Sequence, residues 1–430
     1  MLCWGSNCPV PAYQGIKGGL FELPYLLKCV VRGMDDRFIL HNVKRVDGEE
    51  IDIMIEDGRI IGVTPVGQGI PAQTQAENDT TTADDRLGTP SQSQSVDGIT
   101  VYDGQGSYVS SGWIDMHVHA FPEFDPYGDE IDEIGVKQGV TTIVDAGSCG
   151  ADRIMDLARS SQEAMTNLFA FLNISRIGLK RIDELSNLEW IDRGKVLASV
   201  DTFSDVIVGL KARISNSVVG GNGVKPLQTA RRLSIETELP LMVHIGSAPP
   251  DITEVIPLLE RKDIITHYLN GKKNKLFDEQ GQPLQVLQEA VARGVHLDVG
   301  HGTASFSFQV AEAAKQYGIS PNTISTDIYR GNRLNGPVYS MANVLSKFLL
   351  LGYPLEQIIA AVTTNAAEWL GRPDLGRIRT GDVANLTLFS LEQESAILTD
   401  SEGEQRTTNQ LIKAKGVYTN GTFIKCEVRP

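Results

Sequence analysis

Eight short apolar runs, separated by segments of helical periodicity, dominate the middle of this chain. They lie at Ile114–Val118, Thr141–Asp145, Leu168–Leu172, Val206–Lys211, Leu241–His244, Ile264–His267, Val295–Val299 and Thr323–Asp327. Apolar runs of this length suit strands buried on both faces, the condition of a parallel sheet covered by helices. Helices are expected between several of them, at about 151–165, 226–237 and 251–260. Eight such units in about 230 residues match a closed (β/α)8 TIM barrel, which typically takes about 250. An open doubly wound sheet is the alternative, but no glycine-rich phosphate loop follows the first run. The barrel is therefore expected over 112–375.

The flanks read differently. Phe38–Leu40, Ile51–Ile55 and Arg59–Val63 are short strands, with the turn pairs Asp47-Gly48 and Asp57-Gly58 between them. Ile99–Tyr102 and Tyr108–Ser110 add two more. Beyond the barrel, helices at 341–350 and 355–370 lead to strands at Val383–Phe389 and Gly416–Tyr418, with Asn420-Gly421 as a hairpin turn. These pieces predict a small β-sandwich domain built from both chain ends, 36–111 and 376–430, with the barrel inserted between them. Residues 1–35 show no clean periodicity and are expected as an N-terminal extension. Residues 72–98 are rich in Gln, Thr, Ser and Asp. Such a segment buries too little surface to offset its ordering entropy, so a flexible polar insertion is expected.

Composition excludes several classes of function. A net charge of −15 argues against sequence-independent nucleic-acid binding, which needs a cationic surface. No run of about 18 apolar residues occurs, so no membrane span is expected. No basic segment followed by an apolar core marks a signal peptide. The five cysteines are odd in number and scattered, which suits a reducing cytoplasm better than a disulfide framework. A small-molecule substrate is the expected partner, and assembly as a homo-oligomer is left open.

The chemistry-bearing residues fall where a barrel would use them. His117 and His119 are spaced by one residue at the end of the first run, so their imidazoles share a face. Lys211 ends the fourth run, His244 the fifth, His267 the sixth and Asp327 the eighth. Any one of these has an ordinary explanation: a core histidine, a surface lysine, a turn aspartate. All six at the same end of successive strands do not. That is where a barrel places its active site, and the set suits a metal of borderline softness such as zinc.

With these positions in view, the chain resembles the amidohydrolase superfamily, in particular its binuclear branch of dihydroorotases, hydantoinases and related deacetylases. The similarity extends from about Arg37 to the C-terminus, the polar insertion apart. It includes Thr363-Thr364-Asn365-Ala366-Ala367 before Leu370-Gly371, and Gly381-Asp382-Val383-Ala384-Asn385-Leu386 at the return to the β domain. Gly209-Leu210-Lys211 and Thr266-His267-Tyr268-Leu269-Asn270-Gly271 resemble a group often labelled dihydroorotase or adenine deaminase, some of whose members deacetylate hydroxy acids or D-amino acids.

The resemblance implies two Zn2+ ions, the more buried one held by His117, His119 and Asp327 and the other by His244 and His267. Lys211 would bridge them as a carbamate formed with carbon dioxide. Asp327 would also be the catalytic proton carrier. Tyr268, Asn270, His301 (between two glycines of the seventh loop), Arg176 and Cys149 are candidate substrate contacts. The setting of Cys149 is similar to the metal-bound cysteine of D-aminoacylases; with Lys211 present, a thiol in the pocket wall is expected instead. The leading expectation is hydrolysis of an amide or acyl ester bond in a small carboxylate-bearing compound. A dihydroorotase-like cyclic amide hydrolase or an adenine-type deaminase is the alternative. Lys211 counts against the deaminase, which usually needs one metal and no lysine bridge. A non-catalytic scaffold on the same fold is a third possibility, disfavoured by the full donor set.

Overall fold

A computed structural model describes residues 37–68, 93–96 and 99–426. The expected N-terminal extension, with Cys3, Cys8 and Cys29, and most of the expected insertion lie outside the described residues. Three strands open the described chain: β1 (Arg37–Arg45), β2 (Glu50–Glu56) and β3 (Arg59–Pro65) form an antiparallel meander. The β2–β3 turn is Asp57-Gly58 with both residues at positive φ (52° and 70°), the conformation that matches the twist of a tight hairpin. Within the stretch expected to be a flexible insertion, β4 (Ser93–Val96) is a strand and pairs antiparallel with β5 (Ile99–Asp103). Strand β6 (Tyr108–Ser111) then leads into the barrel.

The barrel sheet has seven parallel strands: β7 (Trp113–Val118), β8 (Val140–Gly150), β9 (Asn167–Asn173), β10 (Ile207–Ile214), β11 (Leu241–Ile245), β12 (Ile264–Thr266) and β13 (His296–Asp298). Every residue of β7 and of β8 is buried, as strands covered on both faces require. The covering helices show the complementary pattern. Lys225–Thr237 carries Pro226 in its first turn and buries Leu227, Ala230, Leu233 and Ser234, a stripe at helical spacing. At the opposite end from the site, the helix Thr364–Trp369 brings Ala366 and Ala367 against Ile114, Met116, Phe171 and Met242, closing the barrel floor.

The eighth run is not a regular strand. It touches its neighbours through single bridges, Asp298 with Thr323 and Val118 with Ile328. Side chains supply the rest. The Asp115 carboxylate accepts from the Thr326 amide (3.0 Å) and hydroxyl (2.5 Å), and Asp298 accepts from the hydroxyls of Thr323 and Ser325 (both 2.7 Å). Two backbone bonds complete the ring on the β7 side, Asp327 N–H to His117 O (2.7 Å) and His119 N–H to Ile328 O (3.0 Å). The fold is a (β/α)8 barrel joined to a β domain assembled from both chain ends.

That domain is a single nine-stranded mixed sheet in which β1 pairs with β2, β5 and β6. Its C-terminal part is larger than the sequence suggested. Strands β14 (Leu386–Thr399) and β15 (Gln405–Thr419) form a long hairpin, followed by β16 (Thr422–Lys425). The hairpin tip returns to the barrel. Asp400 accepts from Phe308 N–H at 3.0 Å, and Ser401 donates to the carbonyls of Gly302 (2.9 Å) and His301 (3.2 Å).

Candidate active site

Six side chains converge at the end of the barrel where the strands finish. Asp327 Oδ1 stands 3.2 Å from His119 Nε2 and 3.4 Å from His117 Nε2. Lys211 Nζ is 3.4 Å from His117 Nε2. The His267 ring lies 5.0 Å from that of His117 and 4.4 Å from that of His244. His117, His267 and Asp327 present donor atoms all within 4.8 Å of one another, close enough to hold one metal ion. A cavity of about 250 Å³ opens onto His117, His119, Lys211, His244 and Asp327.

The surroundings set the state of each donor. His117 Nδ1 donates to Thr266 Oγ1 (2.8 Å), which donates onward to Asp298 (2.8 Å). His267 Nδ1 donates to the Gly300 carbonyl at 2.6 Å. Each bond fixes the tautomer that turns the Nε2 lone pair toward the site. His119 is held by Ser148 Oγ at 2.9 Å. Burial takes His117 and His244 well below the usual imidazole range, and takes His267 down to about 3. Burial also lowers Lys211 to about 7. At Asp327 burial pushes upward, but the hydrogen bond and charge of His119, with His267 and Lys211 near, hold its carboxyl below the ordinary value. Neutral imidazoles at His117, His244 and His267, an anionic carboxylate and a desolvated amine, gathered in one buried place with His119, make a donor set that fits a divalent cation of borderline softness.

Backbone geometry is spent on this arrangement. His267 and Asp327 adopt φ of 71° and 51°, a left-handed conformation costing on the order of 1–3 kcal/mol for a non-glycine residue. Gly300 and Gly302 make room for the donors. A Cβ on Gly300 would stand 2.3 Å from Thr266 Oγ1, and one on Gly302 would stand 2.3 Å from Asp327 Oδ2.

None of the five substrate contacts expected from the sequence lines this cavity. Tyr268 is fully buried in the core with its hydroxyl 3.4 Å from the Ile319 carbonyl. Asn270 is buried too, and bonds to His267 O and Lys272 N within its own loop. His301 turns away to accept from Lys347 Nζ at 2.8 Å and stacks on Phe306. Arg176 pairs with Asp152. Cys149 is a free thiol packed in the hydrophobic core, where burial pushes its pKa well up. The walls are formed instead by Arg213, Lys272, Tyr127 and Tyr329, with the hydroxyls of Ser215, Ser247 and Thr303. Only Arg213 carried a signal, two residues beyond Lys211 on the same strand and therefore on the same face. Lys272 sits in a loop where composition gives no cue.

A parallel barrel gathering histidines, a lysine and an aspartate at its mouth defines a class of hydrolase that works on small molecules there. Residues 108–423 match the Amidohydrolase family, and the chain belongs to it as a hydrolase acting on carbon–nitrogen bonds. A deacetylase of Enterococcus faecalis is 40% identical over 382 residues, covering 88% of this chain and 96% of that protein. A crystal structure described as an adenine deaminase superposes with a TM-score of 0.80 at 36% identity, covering 91% of this chain and 100% of the other. One described as a dihydroorotase gives 0.77 at 32% identity, covering 91% and 98%.

Proposed function

We propose that this chain is a binuclear zinc deacetylase, cleaving the amide or acyl ester bond of a small carboxylate-bearing compound in the cytoplasm. The convergence of His117, His119, Lys211, His244, His267 and Asp327 from five units of the barrel carries the proposal. His117, His119 and Asp327 would hold one zinc and His244 and His267 the other. Lys211, with a pKa near 7, has neutral amine available at physiological pH to add carbon dioxide, and the resulting carbamate would join the two positions. Bound there, the cations supply Lewis acidity, which acidifies a water and polarises an acyl carbonyl. Asp327 does the proton work: its carboxylate, held anionic, accepts a proton at Oδ2 and returns it to the leaving nitrogen or oxygen. The hydroxyl-lined walls orient the substrate above the donors. The 40% identity to a deacetylase over nearly its whole length supports acetyl transfer to water rather than ring opening or deamination. Cys149 and Cys426 are free thiols, in keeping with a reducing compartment.

The test is a screen of zinc-loaded protein against N-acetyl-D-amino acids, acetylated 2-hydroxy acids, dihydroorotate, hydantoins and adenine, together with metal analysis. We expect deacetylation and about two zinc ions per chain, falling in Lys211→Ala. One tightly held zinc, unchanged by Lys211→Ala, with turnover of adenine would replace this reading with a deaminase.

A further inference from the structure

We propose that Lys272 reads the substrate carboxylate, its ammonium receiving the acid group while the acyl group sits over the six donors. The inference rests on the proposed function and adds the residue that sets the substrate's charge. Besides those donors, the cationic side chains lining the cavity are, among the described residues, Arg213 and Lys272, and the carboxylate lining it is Asp327. Arg213 is already committed: its guanidinium faces fully buried Glu184 at 3.2 and 3.4 Å. Lys272 is not. Among the described residues its Nζ makes no hydrogen bond and no ion pair.

The backbone of Lys272 is nonetheless fixed with respect to the site. Its N–H donates to Asn270 Oδ1 at 3.1 Å, and Asn270 Nδ2 donates to the carbonyl of His267 at 2.8 Å. A single amide side chain therefore sets the position of the lysine from that of a candidate metal ligand. Burial disfavours this ammonium and the more distant charge of Asp327 opposes that only in part; a carboxylate in direct contact would offset the rest with a charge-assisted hydrogen bond. A hydrogen bond to a charged group changes affinity by roughly 10- to 100-fold.

Two measurements on zinc-loaded full-length protein test the inference. In calorimetric titration, phenylacetate should bind at least about 10-fold more weakly to Lys272→Met than to wild type, with phenylacetamide binding unchanged and Lys272→Arg close to wild type. With N-acetyl-D-phenylalanine or whichever acetylated acid the wild type hydrolyses, Lys272→Met should raise KM about 10-fold or more and leave kcat within about 3-fold. Equal phenylacetate affinity in wild type and Lys272→Met, or no binding to wild type, overturns the inference even if deacetylation is found. Charge-selective binding without hydrolysis of any acyl compound upholds Lys272 and overturns the proposed function instead.

Discussion

Lys347 Nζ donates to His301 Nε2 at 2.8 Å and to the Pro337 carbonyl at 2.7 Å, with the Lys347 and His301 side chains both fully buried. Burial lowers this amine to about 7, with Asp400 opposing the shift only in part. An unfolded lysine titrates near 10.4. Below about pH 7 both states are protonated, and the fold carries the full cost of a buried charge. Between about 7 and 10 the unfolded chain binds a proton that the folded one has shed, so stability rises with pH, by at most about 1.4 kcal/mol per unit. Urea unfolding of wild type and Lys347→Met across pH 6.5–9.5 should show the wild type gaining on the variant as pH increases. A difference that stays flat across that range would mean the amine is hydrated.

Gly302→Ala should disable the site without unfolding the barrel. The new methyl would lie 2.3 Å from Asp327 Oδ2 on a backbone at φ 54°. Either Asp327 moves or the loop does, and a displacement of about 1 Å at a reacting group costs on the order of 10²-fold. Turnover should fall by about that factor while far-UV circular dichroism is retained. Full activity would show that the carboxylate does not need this position.

Thr266→Val keeps the shape of a β-branched residue and removes one hydroxyl. That hydroxyl accepts from His117 Nδ1 and donates to Asp298, so its loss frees the imidazole to turn or change tautomer. Zinc affinity measured by chelator competition should weaken about 10- to 100-fold. An unchanged affinity would assign the orientation of His117 to packing alone.

Asp400→Ala tests the hairpin tip. The carboxylate accepts from Phe308 N–H, a buried donor, and from the amides of Glu402 and Glu404 at 2.9 Å each. Leaving the Phe308 amide unpaired should cost about 1–3 kcal/mol, read from the denaturant midpoint. A variant with wild-type stability would place a water at that amide.

The sequence disclosed the barrel because its strands are continuous apolar runs, and the six donors because each one ends such a run. It was silent where structure depends on polar side chains. Thr323, Ser325 and Thr326 read as an eighth strand, yet they are held by carboxylates 25, 27 and 211 residues away. The middle of the β14–β15 hairpin, including Glu392–Glu394 and Arg406–Gln410, is too polar to show strand periodicity, although it pairs on both sides of a register shift between Gln393 and Ala396. Tyr268 and Asn270 are expected at the substrate because they follow a ligand in sequence. At a strand end the chain turns so sharply that Tyr268, beside His267, points into the core. Lys272, five residues on, lines the cavity.

The return of the C-terminal hairpin to the barrel has a practical consequence. An engineer cutting after residue 375 to isolate the catalytic portion would also discard Asp400 and Ser401, which brace the loop bearing Gly302. The wall beside Asp327 would lose its footing, so excising the barrel should yield an enzyme with a slack pocket. Altering the hairpin tip offers a way to reshape that pocket without touching a single donor.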